Sequence, residues 1–168
     1  TLRRYEKYQE ALKDDQAFQK RYMTLPLSVP TPNFQKEACV MTGDEGVFPT
    51  TAEGLAKLRP VQEGGVITFG NQTHPADGNA AAIVCSSDRA AELATDASIK
   101  VEVLGFGQAR DDLAYMPAAP IEAARRALQN AGISIDQVDA IKTHNPFAVN
   151  DVAFAKALGV DVMQMNNY

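Results

Sequence analysis

Residues 118–148 read AAPIEAARRALQNAGISIDQVDAIKTHNPFA, and this stretch decides the fold class. Pro120 suits the first turn of an α-helix, and Gly132 is typical of the residue that follows a helix end. Between them apolar residues recur at helical spacing, at Ile121, Ala124, Leu128 and Ala131. The segment 136–141 then predicts a short strand, so this stretch predicts a helix that leads into a strand.

Strands and helices alternate on both sides of this stretch. Upstream, β-branched or apolar runs predict strands at 66–69, 80–86 and 99–104, and a helix at 88–94 that Ser87 caps. The run at 80–86, AAAIVCS, predicts a strand buried on both faces, with Cys85 inside it. Downstream, a helix at 152–158 is predicted to have Asn150 or Asp151 as its cap. The alternation predicts an α/β fold with a largely covered sheet.

The first 65 residues follow a different pattern. An amphipathic helix is predicted at 2–14 and a short helical turn at 15–21. Proline and glycine then recur through 24–65, which predicts a long irregular stretch with one short helix at 51–57. Long loops inside compact domains are often functional.

Composition excludes several classes of protein. The net charge of −5 and the pI near 5.0 argue against a nucleic-acid surface. Arg3-Arg4 and Arg125-Arg126 are explained by solvated helix faces. The longest apolar runs are far shorter than the roughly 18 residues that span a bilayer, so no membrane segment is predicted.

The two cysteines and two histidines do not form a metal-binding pattern. Cys39 and Cys85 are too few for a disulfide scaffold and are not spaced as metal ligands. His74 and His144 are far apart in the sequence. We therefore expect no metal site, and a reducing, cytoplasmic setting.

Three stretches together resemble the thiolase family. The first is Leu58-Arg59-Pro60 with VITFGNQT at 66–73 and DGNAAA at 77–82. The second is the helix 118–132, and the third is DAIKTHNPFA at 139–148. Thiolases have similar motifs in the same order, including a T-x-G-N-x-S segment and an N-E-A-F-A motif.

This resemblance implies an α/β, thiolase-like fold segment, layered α/β/α with part of the loop domain. It implies that residues 1–65 belong to the loop domain, 66–98 to the end of the N-terminal half and 99–168 to the start of the C-terminal half. The family's catalytic cysteines and its G-H-P histidine would lie outside this chain. We therefore expect an internal segment that is inactive by itself.

The resemblance also assigns expected roles to individual residues. His144 occupies the position of the family's N-E-A-F asparagine, where an imidazole N–H can donate to a thioester oxygen; such a donor is worth about 3–4 kcal/mol. Thr73 aligns with the serine that contacts the pantetheine arm, and His74 replaces a glycine beside it. Asn145 departs from the family's glutamate, and Phe147 is a wall of the acyl pocket or plain core. Ordinary loop roles remain the alternative for His144 and Thr73.

The implied function is Claisen condensation or thiolytic cleavage between acyl-CoA thioesters. Coenzyme A thioester would be the substrate, with no further cofactor, and the protein would form homo-oligomers. One alternative is a thiolase-like binding or scaffold protein without condensing activity that acts with a small partner domain. Another is a ketoacyl synthase relative that uses acyl carrier protein.

Overall fold

Two successive helices begin the chain in the computed structural model, which describes residues 1–74, 76 and 78–167. α1 spans Leu2–Ala11 and α2 spans Lys13–Tyr22. Near the start of α2, residues 14–16 have φ of 54°, 55° and 59°. The two aspartates among them tolerate this left-handed conformation because their short polar side chains can hydrogen-bond locally. The kink ends the first helix earlier than the predicted 2–14.

A β-hairpin lies where the sequence predicts irregular structure. β1 spans Leu27–Pro30 and β2 spans Glu37–Met41, antiparallel, with Leu27 opposite Met41. Thr31 closes the connecting loop, because its amide donates to the Lys36 carbonyl at 2.7 Å. The prediction of one long irregular stretch at 24–65 is therefore wrong in this part.

The remaining helices confirm most of the predicted ones. α3 spans Ala52–Ala56, α4 spans Ser87–Leu93, α5 spans Ala119–Ala131 and α6 spans Ala148–Leu158. Gly132 follows α5 with φ 69°, as the helix-ending glycine requires. Ser86, not Ser87, caps α4. α6 begins four residues before the predicted Val152, so Asp151 lies in its first turn and is not its cap.

The strands predicted at 66–69, 80–86, 99–104 and 136–141 are not paired. Within the described residues, the β1–β2 hairpin is the only sheet, and Ile135–Gln137 forms a 3₁₀ turn. A strand satisfies its backbone N–H and C=O groups on a neighbouring strand, and among the described residues no second strand pairs with these segments. The expected burial of 80–86 is also wrong: Ile83 and Val84 are 80% and 83% exposed, and Cys85 is exposed.

Two glycines allow the chain to run against the backbone of α5. A Cβ on Gly105 would lie 2.8 Å from the Ala131 nitrogen, and a Cβ on Gly107 would lie 2.6 Å from the Ala127 nitrogen. Arg126 Nη1 donates to the Gln108 carbonyl at 2.9 Å in the same region. Arg126 therefore fastens this segment to α5, although its side chain is 55% exposed, as the predicted solvated helix face requires.

The chain forms two compact units. The first comprises the described residues of 1–76 with 140–152 and 161–168, and the second those of 77–139 with 153–160. Five described residues are buried: Gln19, Asp151 and Met165 in the first unit, and Phe154 and Ala155 in the second. The division at 65 and 98 implied by the resemblance stays a prediction. Asp77, the first residue of the DGNAAA motif, lies outside the described residues.

Substitution of Gly107 tests the close approach to α5. Gly107→Ala should lower the free energy of unfolding by about 1–3 kcal/mol, because the new methyl group overlaps helix backbone that cannot rotate away. Urea unfolding followed by circular dichroism measures this. Gly78→Ala is the matched control, because no atom lies within 4 Å of its Cβ position. Equal effects of the two substitutions would contradict the predicted packing.

Candidate functional site

A short antiparallel backbone contact brings two of the predicted site segments together. Gln72 and Phe147 form an isolated bridge. The Thr73 amide donates to the Pro146 carbonyl at 2.6 Å, and the Ala148 amide donates to the Asn71 carbonyl at 2.8 Å. Two segments more than seventy residues apart in the sequence are thereby joined. The expected pantetheine-contacting loop and the expected oxyanion loop lie side by side in the first unit.

The turn before this contact is built by Asn71. Its Nδ2 donates to the Val66 carbonyl at 2.8 Å, and its Oδ1 accepts the Thr68 amide at 2.9 Å. These bonds fix residues 66–71 without a partner strand.

A buried carboxylate holds the other side of the site. Asp151 is 6% exposed. Its Oδ1 accepts the Thr143 hydroxyl at 2.6 Å, and its Oδ2 accepts Asn145 Nδ2 at 2.8 Å and Arg4 Nη2 at 2.7 Å. Buried charges are costly unless they are paired and hydrogen-bonded. Asp151 is satisfied by three donors, and these connect α1, the 143–145 loop and α6.

Asn166 supports Thr143 from the opposite direction. Its Oδ1 accepts the Thr143 amide at 2.8 Å, and its Nδ2 donates to the Thr143 hydroxyl oxygen at 2.9 Å. The Asn166 amide donates to the Ile141 carbonyl at 2.9 Å. Asn166 has φ of 53°, a conformation that asparagine tolerates better than most residues. Both sides of Thr143 are thus fixed.

His144 lies between the two residues that bind Asp151. It is exposed, while its neighbours Thr143 and Asn145 are half-buried. The side-chain nitrogen Nδ2 of Asn145 donates to Asp151, so this side chain helps to order the loop. The predicted oxyanion role of His144 and substrate contact of Asn145 stay predictions.

Thr73 and His74 are both exposed beside the bridge. The Thr73 hydroxyl donates to the His74 carbonyl at 3.3 Å. The His74 ring meets the Phe48 ring edge-on, with centroids 5.9 Å apart. A Cβ on Gly46 would lie 2.6 Å from His74 Nδ1, so glycine at this position makes room for the imidazole. Phe147 is half-buried, and its predicted place in the acyl pocket stays a prediction.

A cavity of about 530 Å³ lies on the α1 and α2 side of Asp151. Its lining includes Arg4, Tyr8, Gln19 and Asp151, but none of the five predicted site residues. Burial, and secondarily the nearby Asp44 carboxylate, raise the pKa of the Tyr8 phenol. The cavity thus borders the Asp151 carboxylate, which orders the 143–145 loop, but it does not border the predicted site residues themselves.

Sequence reasoning missed the residues that order the site. It interpreted Arg3-Arg4 as a solvated pair, yet Arg4 binds Asp151 and Arg3 Nη2 donates to Asn167 Oδ1 at 2.9 Å. It treated Asp151 as a possible cap of α6. An aspartate within the apolar sequence of α6 is a signal for a buried partner, but its partners are distant in the sequence.

Across residues 1–74, 76 and 78–167, no group of three or more His, Cys, Asp or Glu side chains is arranged to hold a metal ion. Over the same residues, no helix has the length and apolar character needed to cross a membrane.

Comparison with known proteins finds relatives along most of the chain. Residues 1–88 match the thiolase N-terminal domain family and residues 97–168 match the thiolase C-terminal domain family. The 3-ketoacyl-CoA thiolase of Idiomarina loihiensis is 36% identical over 129 residues, which are 75% of this chain and 33% of that protein. The acetyl-CoA acetyltransferase of Syntrophomonas wolfei is 36% identical over 135 residues, 79% of this chain and 34% of that protein.

A solved structure extends the likeness to the fold. The crystal structure of the Bacillus anthracis acetyl-CoA acetyltransferase superposes with a TM-score of 0.79 and 26% identity, covering 99% of this chain and 41% of that one. The predicted thiolase-like α/β fold class is therefore confirmed, although the individual strands are not paired. The chain spans about a third of the length of the curated relatives it matches.

Two variants of Asn166 test the support of Thr143. Asn166→Ala loses both side-chain hydrogen bonds and keeps a left-handed backbone, which together should cost about 2–3 kcal/mol of unfolding free energy. Asn166→Gly loses the same bonds without the left-handed penalty and should be more stable than the alanine variant by about 1 kcal/mol. Denaturant unfolding measures both, with the exposed Asn79→Ala as control. Alanine and glycine variants of equal stability would contradict this account.

Proposed function

The chain belongs to the thiolase family, and on that premise we propose that it forms part of the acyl-CoA site of an enzyme that makes or breaks carbon–carbon bonds between acyl-CoA thioesters. The observation that carries the proposal is the Gln72–Phe147 bridge. It brings the loop of Thr73 beside the loop of His144. One loop would contact the pantetheine arm, and the other would contact the thioester.

In this proposal His144 donates a hydrogen bond to the carbonyl oxygen of the thioester that is attacked or enolised. Addition to a thioester, or enolisation of one, places negative charge on the carbonyl oxygen. An N–H donor aimed at that oxygen stabilises the charge as it develops. His144 is exposed on a loop that Thr143 and Asn145 fasten to Asp151, so its imidazole is accessible to a ligand and its backbone is ordered.

Thr73 would serve the pantetheine arm. Its hydroxyl can donate and accept, which suits an amide group, and it is exposed beside the bridge. His74 would limit the space next to it, since its ring is placed against Phe48. We expect acyl-CoA as substrate and no separate cofactor. The nucleophile would come from outside these residues, as the thiolase resemblance implies.

Association with other chains belongs to the same proposal. Val101, Leu113 and Val84 are 88%, 96% and 83% exposed, and exposed apolar surface of this kind favours protein contacts. We expect homo-oligomers, as thiolase resemblance implies. Two exposed free cysteines favour a reducing, cytoplasmic compartment.

A non-catalytic binding or scaffold role is the second candidate. The observation that favours it concerns His74, which occupies a position where the thiolase resemblance predicts glycine. Its imidazole packs against the Phe48 ring, next to Thr73 in the sequence. The His74 side chain would restrict the access of a pantetheine arm to the Thr73 hydroxyl. A chain that binds no acyl-CoA would support this second role.

Titration of the 168-residue chain with acetyl-CoA tests the first proposal. Amide NMR signals of residues 71–74 and 143–148 should shift, with a Kd on the order of 1 mM because only part of the site is present. Thr73→Val should weaken the binding several-fold, since it keeps the shape and removes the hydroxyl.

Thr42→Val is the matched control, because Thr42 is an exposed threonine of the same unit. Shifts confined to residues outside the two loops, or equal weakening by both substitutions, would refute the proposed site.

A further inference from the structure

The residues on both sides of His144 are fastened to one carboxylate. The Thr143 hydroxyl donates to Asp151 Oδ1 at 2.6 Å, and Asn145 Nδ2 donates to Asp151 Oδ2 at 2.8 Å. Asp151 lies in the first turn of α6, which holds it in a fixed place. Two neighbours of His144 are therefore tied to the same rigid point.

This arrangement determines which way His144 faces. Thr143 and Asn145 are two residues apart and both reach Asp151, so they lie on the same side of the chain. Side chains of consecutive residues in an extended segment lie on opposite sides. With this alternation the imidazole of His144 would face away from Asp151, and His144 is exposed.

Arg4 completes the anchor from a distant element. Its Nη2 lies 2.7 Å from Asp151 Oδ2, and the carboxylate side chain is 9% exposed. A cation next to a buried carboxylate forms a charge-assisted hydrogen bond, which is the stronger kind. α1 thereby contributes to the order of a loop that is nearly 140 residues further along the chain.

We propose that Asp151 is a positioning residue that holds the His144 imidazole in the direction of the thioester oxygen. This inference deepens the proposed function and rests on it for the identity of the ligand. Asp151 itself does not contact the ligand. It acts through Thr143 and Asn145, and Arg4 holds it in place through the charge-assisted hydrogen bond.

Asp151→Asn is the first test. It preserves the shape but replaces one acceptor oxygen by an NH₂ group, so either Thr143 or the Asn145–Arg4 pair loses its acceptor. The three-bond couplings of the His144 side chain, measured by NMR, should change from values for one χ1 rotamer to averaged values. Acetyl-CoA binding should weaken about tenfold, because a displaced contact group loses its alignment.

Three further variants keep the test decisive if Asp151→Asn does not fold. Thr143→Val removes one donor and should free His144 in part, whereas Thr143→Ser keeps the hydroxyl and should restore the single rotamer. Arg4→Met removes the cation from a side chain that is 47% exposed and should also increase the averaging. Asp161→Asn is the control, since Asp161 is an exposed acid of the same unit that caps a 3₁₀ turn.

The two readouts separate this inference from the proposed function. Averaged His144 couplings in Asp151→Asn and Thr143→Val, but not in Asp161→Asn, support the positioning role even if no variant binds acetyl-CoA. Loss of stability with an unchanged His144 rotamer would overturn it and leave Asp151 a merely structural residue. Rotamer averaging in Thr143→Ser equal to that in Thr143→Val would overturn it as well.

Discussion

A buried carboxylate must collect enough hydrogen bonds to offset its loss of water, and Asp151 meets this requirement with three donors from two other segments. The same demand that stabilises the ion therefore determines where α1 and the 143–145 loop lie. Removing one donor leaves a buried acceptor unsatisfied, which costs about 1–3 kcal/mol, so the arrangement cannot relax cheaply. The order of the loop around His144 follows from the solvation of a single group.

The Gln72–Phe147 bridge adds a second constraint that does not depend on charge. Backbone hydrogen bonds on either side of it join residues 71–73 to residues 146–148. The bridge thus places the loops of Thr73 and His144 side by side. The Asp151 carboxylate binds the two residues next to His144. The apolar segments at 80–86 and 99–104 belong to the second unit, and their large apolar side chains are exposed.

The sequence predicted helices better than strands, for a physical reason. A helix satisfies its own hydrogen bonds, so Pro120 and Gly132 were enough to define α5. A strand needs a partner, and the apolar runs at 80–86 and 99–104 have none among the described residues. The Thr73 and His144 loops were predicted through motif order, and the structure places them together. Asp151 and Arg4 were not found as a pair because 147 residues separate them.

Native-state hydrogen exchange of the Thr73, Ala148 and Thr143 amides tests the central claim most directly. All three donate to acceptors in distant segments, so they should be protected and should open together as one cooperative unit. The amides of residues 80–86, which belong to no sheet, should exchange much faster. Exchange of Thr73 and Thr143 as fast as that of residues 80–86 would contradict the joined-loop site and the anchoring role of Asp151.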